Sequence, residues 1–387
     1  MMGVEVLNFG CRLNIAEGEA IRRSWQGNND ALVINSCAVT AEAERQARQA
    51  IRRAARALPE REIIVTGCGA EISQARFAAM PEVARIIAKD ITAPAYTPLI
   101  SGASHARAFI SIQTGCDHDC TFCIIHVARG ASRSARIADV VAACQRVVDQ
   151  GQREVVLTGV DLTSYDDAGQ PLGALVAAIL GQVPGLARLR LSSLDCVEID
   201  PALEELLSGE PRLMPHLHLS FQAGDDMILK RMKRRHSAAQ AVVLVQRLKA
   251  VRPEMTIGAD LIAGFPTETQ AMFANTLTLV ERCDIVFGHV FPFSPRPGTP
   301  AAQMPQVAPV IAKARAAQLR EVIAQRRTRW FDTLIGTTQA VLIERDGISG
   351  HAPNFAQVIL AAPATPNSIQ TVRITGHDDN RLHGVPA

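Results

Sequence analysis

Residues 108–123, Ala108-Phe-Ile-Ser-Ile-Gln113-Thr-Gly-Cys116-Asp-His-Asp-Cys120-Thr-Phe-Cys123, run an apolar, strand-like hexapeptide into three cysteines spaced C-x3-C-x2-C. Three thiolates at that spacing can hold three irons of a cubane [4Fe–4S] cluster, and no fourth cysteine stands nearby to take the remaining iron. An iron without a protein ligand is open to a small molecule. A zinc knuckle with His126 as fourth ligand is the competing reading. Zinc sites usually pair their ligands in two separated halves, which this compact run does not. Position matters as much as spacing. A ligand loop directly after a strand is where the active site of a (β/α) barrel lies.

Outward from that loop, toward the C-terminus, strand-like stretches at 154–158, 187–191, 216–221, 256–262 and 285–292 follow the first one. Helical stretches at 137–150, 173–181, 201–208, 238–251 and 268–282 lie between them, so a partial or full (β/α) barrel is expected. An Arg-rich amphipathic helix is expected from 307 to 330. Beyond it, short β-branched runs broken by Gly, Asn and Pro predict a small β-barrel of about five strands.

Toward the N-terminus, strands at 4–9, 31–35 and 63–66 alternate with helical stretches, which predicts a parallel, doubly wound α/β sheet. Thr40 reads as an N-cap, with Glu42 and Glu44 in the first turn and Arg52, Arg53 and Arg56 in the last. Cys11, Cys37 and Cys68 each follow the C-terminal end of a strand. Those ends share one crevice in an open α/β sheet, so the three cysteines are a candidate second cluster site. The expected domains are 1–100, 104–330 and 331–387, with a Pro-, Gly- and Ser-rich linker at 94–105.

At 387 residues and a formal net charge of +2, the chain has room for two or three cores and no overall polyanion-binding charge. Only five of its 40 basic residues are lysine. Nine cysteines in a chain of this length do not suit a small secreted disulfide scaffold, and a reducing, cytoplasmic setting is expected. No apolar run approaches the ~20 residues that span a bilayer, so no membrane partner is expected.

The whole chain resembles the radical S-adenosylmethionine (SAM) methylthiotransferases. The resemblance rests on Phe122 before the third cysteine of 116–123, on Gly10-Cys11-Arg-Leu-Asn14, Asn35-Ser-Cys37 and Thr66-Gly-Cys68, and on Leu157-Thr-Gly-Val-Asp161. It extends through His218-Leu-Ser-Phe-Gln222, Gly264-Phe-Pro-Thr-Glu268-Thr269 and Phe293-Ser-Pro-Arg-Pro-Gly-Thr299. It implies two [4Fe–4S] clusters, one on Cys116, Cys120 and Cys123 and one on Cys11, Cys37 and Cys68. It also implies SAM on the open iron of the first, where one electron cleaves SAM to a 5′-deoxyadenosyl radical. Residues 331–387 resemble a TRAM domain, a small RNA-binding barrel, although a short one. The Gly-Cys-Arg-Leu-Asn stretch resembles the branch acting on threonylcarbamoyladenosine beside the tRNA anticodon. Isopentenyladenosine and a ribosomal-protein aspartate are the alternative substrates, and a non-catalytic zinc-dependent RNA-binding protein is the alternative class. The family's electron donors imply a flavodoxin or ferredoxin partner.

Phe122, Gly159, Ser220, Gln222 and Gly264 are the candidate SAM-site residues, with Arg129 or Arg133 for the SAM carboxylate. Glu268-Thr269 reads as a helix cap. Thr267 stands where the family has Gly, which calls for a backbone conformation that a β-carbon tolerates. Asp195 and Cys196 also depart from the family pattern. Lys230, Arg231, Lys233, Arg234 and Arg235 are the sharpest candidates for RNA phosphates. Arg45, Arg48, Arg52 and Arg56, and Arg320, Arg326, Arg327 and Arg329, form two further basic stripes. Cys144 and Cys283 sit in apolar patterns and read as core.

Overall fold

The computed structural model describes residues 4–25, 27, 30–89, 91, 95–101 and 105–387, so residues 94 and 102–104 of the expected linker lie outside the described residues. Near the N-terminus, strands Glu5–Asn8, Leu32–Ser36, Ile63–Gly67 and Arg85–Ile86 form one parallel sheet in sequential order. The two-residue fourth strand is too short to carry a sequence signal. Alternation sends Leu32, Ile34, Ile63 and Val65 to one face, against Ala47 and Ile51 of helix Ala41–Ala57. Val6, Val33 and Ile64 face the other way, toward Ile21 of helix Arg12–Ser24. Thr40 caps the second helix, its hydroxyl accepting from the Ala43 amide at 3.1 Å. Because the strand order never reverses, the cysteines meet along a shared C-terminal edge rather than at a switch point.

Six parallel strands follow: Arg107–Ser111, Glu154–Thr158, Arg188–Leu191, His216–Gln222, Thr256–Ala263 and Ile285–Pro292. Single parallel bridges at Leu189–Leu213 and Leu194–Leu219 join the two halves. Among the described residues, the first and last strands do not pair, so the barrel is partial. Its buried wall is continuous from Ala108 to Ile323 and includes Cys144 and Cys283. Burial pushes both of those thiols up to about 12.

Helix Pro309–Leu334 packs along the last strand and leads into a closed five-stranded barrel. That barrel docks where the central strands begin. Arg190 donates to the carbonyls of Ala352 and Pro353 at 2.9 and 2.8 Å, and Thr256 donates to that of Asn354 at 2.8 Å. His216 stacks on Phe355 with ring centroids 4.7 Å apart. The cysteine loop lies at the opposite pole, where the strands end. No described helix is long and apolar enough to cross a membrane.

Candidate metal centres and active-site pocket

Cys116, Cys120 and Cys123 lie on the loop after the first barrel strand, which turns tightly where the Cys123 amide donates to the Cys120 carbonyl at 3.0 Å. Backbone amides of His118 and Ile125 donate to the sulfurs of Cys116 and Cys123, each at 3.4 Å. Burial pushes Cys116 up to about 12, helped by Asp161 and the other two cysteines, and pushes Cys123 up to about 11. Cations bound at the site would favour the thiolates over the thiols. Phe122, Val160, Asp161, Ser193, Ser220 and Gln222 line a pocket of about 170 Å³ with the three thiols.

The second site is assembled from three strand ends. Cys11 precedes helix Arg12–Ser24, Cys37 follows strand Leu32–Ser36, and Cys68 opens helix Cys68–Ile72. Gly10 makes the approach possible. It has φ +100°, and a β-carbon there would stand 2.6 Å from the Cys37 sulfur. Burial pushes Cys37 up to about 11, with Cys11 and Cys68 adding to the shift.

The spacing of the sulfurs bears on the choice between one ion and a cluster. Among the described residues, neither trio brings its three sulfurs within 4.8 Å of one another. Three thiolates on one tetrahedral zinc lie about 3.8 Å apart, from a Zn–S bond of about 2.3 Å. His126 lines the pocket without joining the thiols in a compact four-ligand set. Neither trio is gathered as tightly as three thiolates on one zinc would be, whereas Cys116, His118 and Asp161 do lie within 4.8 Å of one another.

The remaining candidates are redistributed. Arg129 does not line the SAM-side pocket. Its side chain turns into the second site, where Nε donates to the Cys68 sulfur at 3.0 Å. Arg133 pairs through strand Arg133–Ser134 with Gln113–Thr114 and does not line the pocket either. Arg234, expected on an RNA surface, lines the pocket instead. It donates to Asp195 at 2.7 Å and the Ser220 carbonyl at 2.9 Å, with the Cys120 sulfur 3.7 Å away. Gly264 packs against helix Pro309–Leu334, a β-carbon there falling 2.4 Å from that of Ala312, and its amide donates to Glu268. Glu268 is buried with Arg315, and Thr269 alone caps helix Gln270–Arg282. The amides that follow Gly159, those of Val160 and Asp161, are taken by the Gln113 side chain. Gln222 adopts φ +65° at an irregularity in its strand. Thr267 adopts φ +67°, the left-handed conformation a β-branched residue least tolerates, contrary to the expected relaxed backbone.

Lys230, Lys233 and Arg235 are exposed at the cysteine pole, and Lys233 and Arg235 pair with Asp119 and Glu198. Arg231 is partly buried, with Met272 4.0 Å away. Arg45 pairs with Glu42 and Arg48 with Glu44. Arg320, Arg326 and Arg327 bond to the Val290 carbonyl, Asp284 and the Asp379 carbonyl. Sequence reasoning did not single out the pair His118 and Asp161 at the pocket mouth, 2.7 Å apart. It also passed over Asp260, which accepts from His218 and His289 at 3.1 and 3.2 Å. His218 and His289 hold that carboxyl far below its usual range in spite of burial. Only strand pairing brings those three residues together.

The Radical SAM superfamily model matches residues 110–280, and the model of Uncharacterized protein family UPF0004 matches residues 3–88. The chain is 45% identical to the threonylcarbamoyladenosine tRNA methylthiotransferase MtaB of Rickettsia prowazekii, covering 92% of this chain and 91% of that protein. The chain belongs to the radical SAM methylthiotransferases. The MtaB of Chlamydia pneumoniae is 33% identical over 97% of this chain and 96% of its own. The radical SAM methyltransferase TsrM of Kitasatospora setae, solved with tryptophan and a SAM analogue, superposes with a TM-score of 0.53. At 14% identity over 72% of this chain and 65% of that one, TsrM shares the fold alone. This methylthiotransferase is thus an enzyme of the iron–sulfur and SAM-dependent class, which leaves no place for the zinc-binding, non-catalytic alternative.

Proposed function

We propose that this methylthiotransferase converts N6-threonylcarbamoyladenosine beside the anticodon of tRNA to its 2-methylthio derivative. One structural observation supports the two-site chemistry. Cys123 stands just before the five-residue helix Ile125–Arg129, and Arg129 at its far end reaches Cys68, so about 7.5 Å of helix links the two cysteine sites. When bound, two [4Fe–4S] clusters and SAM supply the hydrogen abstraction and the methylated sulfur that no side chain can. The protein's part is to bring the sites together and shield them. Phe122 walls the pocket against Phe265, edge to face at 6.4 Å. Ser193, Ser220 and Gln222 offer polar contacts to a ligand, and Arg234 places a buried positive charge beside Cys120.

Lys230, Lys233 and Arg235 would meet RNA phosphates at the cysteine pole, with a salt-dependent share of affinity. The C-terminal barrel, at the opposite pole, would hold a more distant part of the tRNA. A flavodoxin or ferredoxin in the cytoplasm would supply the electron. The threonylcarbamoyladenosine substrate follows from the names of the relatives that match nearly end to end. Nucleoside mass spectrometry of tRNA from cells with and without the gene tests it. We expect the 2-methylthio form of threonylcarbamoyladenosine to vanish and its precursor to accumulate. An unchanged nucleoside would overturn this substrate and move the search to isopentenyladenosine and ribosomal proteins.

A further inference from the structure

We infer that Arg129 is a positioning residue of the second cysteine site, holding Cys68 and setting how readily a cluster there accepts an electron. This rests on the two-cluster reading. The guanidinium is buried, with 3% of its surface exposed, and all five of its N–H donors are used. Nε donates to the Cys68 sulfur at 3.0 Å. Nη1 donates to Glu17 at 2.7 Å and to Thr114 at 3.3 Å. Nη2 donates to Asn14 at 3.0 Å and to the second oxygen of Glu17 at 3.3 Å. Asn14 Oδ1 in turn stands 3.6 Å from the Cys11 sulfur, so Arg129 touches Cys68 directly and Cys11 through Asn14.

The arrangement crosses a domain boundary. Arg129 and Thr114 belong to the radical SAM segment, whereas Asn14, Glu17 and Cys68 lie on helices of the N-terminal α/β segment. A saturated, planar fork fixes the distance and the angle between the two parts, which a lysine cannot do. The electrostatics are directional. An N–H donor on a cluster sulfur stabilises the added negative charge of the reduced state and so raises the potential. Glu17 opposes this, and it is held below the usual carboxylate range by Arg129 and Lys89 in spite of burial. Lys89 shares Glu17 at 2.6 Å, so the pair of cations outweighs the single carboxylate.

The test uses the full chain, anaerobically reconstituted with iron and sulfide, in wild-type, Arg129→Gln, Arg129→Lys and Glu17→Gln forms. Redox titration followed by electron paramagnetic resonance reads each cluster, and cysteine variants assign the signals to their sites. Arg129→Gln should move the second-site midpoint to more negative potential and leave the Cys116–Cys123 midpoint in place. Glu17→Gln should move the same midpoint the opposite way, and Arg129→Lys should give a partial negative shift. Opposite signs at two touching residues are not expected of a purely mechanical strut. Should Arg129→Gln fail to fold, the Lys and Glu17 variants carry the same sign test. About eight irons per chain with no midpoint shift in these variants would overturn the role of Arg129 alone. About four irons in the wild type, all lost in Cys116→Ala, would overturn the two-cluster reading and this inference with it.

Discussion

Two regions of this molecule each gather three cysteines, and they do so by different routes. Cys116, Cys120 and Cys123 sit within eight residues of one loop, whereas Cys11, Cys37 and Cys68 come from three strand ends. The first site depends on a local turn, so much of its geometry is encoded by spacing. The second depends on three parallel strands holding register, on Gly10 leaving room for a sulfur, and on Arg129 from another part of the chain. A loop-encoded site should tolerate disturbance of the sheet, and a sheet-encoded site should not.

The largest effect should come from splitting the two sites genetically. Cys116→Ala should abolish formation of 5′-deoxyadenosine from SAM. Cys37→Ala should keep that reaction largely intact while methylthio product disappears and about half of the iron is lost. Gly10→Ala should reach the Cys37→Ala result without removing a sulfur, because its β-carbon would stand 2.6 Å from the Cys37 sulfur at φ +100°. Loss of SAM cleavage in a folded, iron-loaded Cys37→Ala protein would erase the distinction between the sites.

A smaller effect should appear at the opposite pole on mild acidification. Burial, with Arg107 alongside, holds His351 below its ordinary range against the pull of Glu344. Glu344 is held down to about 2 by His351 and Arg107 in spite of its own burial. Both folded-state values lie below their unfolded ones, so each group's stabilisation is present above its unfolded value and is lost as pH falls through the folded one. His351 acts first, below about pH 6.5. Glu344 contributes in full above about pH 4.3 and loses its share as pH falls toward 2. Calorimetry between pH 7.5 and 5.5 should show the C-terminal barrel loosening while the iron content of both cysteine sites holds. Simultaneous loss of iron would mean that the poles are coupled.

The smallest effect concerns Thr267, whose left-handed backbone costs a β-branched residue about 1–3 kcal/mol. Thr267→Gly should recover a net ~1 kcal/mol after the entropy cost of glycine, raising the melting temperature by about 2–4 °C. Neither cysteine site should change. A drop in melting temperature would show that the threonine makes compensating contacts.

Much of the architecture was legible from periodicity. The six barrel strands and the helices between them lie within two or three residues of where alternation and apolar spacing put them, because a buried parallel strand must be apolar along its length. Arg85–Ile86 was not legible, since two residues carry no period. Side-chain roles were the weakest part. Arg129 follows the radical SAM cysteines closely and reads as a SAM partner, yet one short helix carries it to the other site. Arg234 sits in a basic run and reads as an RNA contact, yet helix Asp226–Arg231 ends just before it and turns it inward to Asp195.

The sequence by itself determined that six cysteines fall into two sets of three, one in a single loop and one at three strand ends, because residue identity and spacing along a strand or loop are local properties. Only the tertiary structure decided that the short helix after Cys123 carries a buried arginine, Arg129, to the sulfur of Cys68. It also placed the C-terminal barrel at the far pole. Those facts depend on which faces pack together, a choice made by burial and register across residues far apart in the chain.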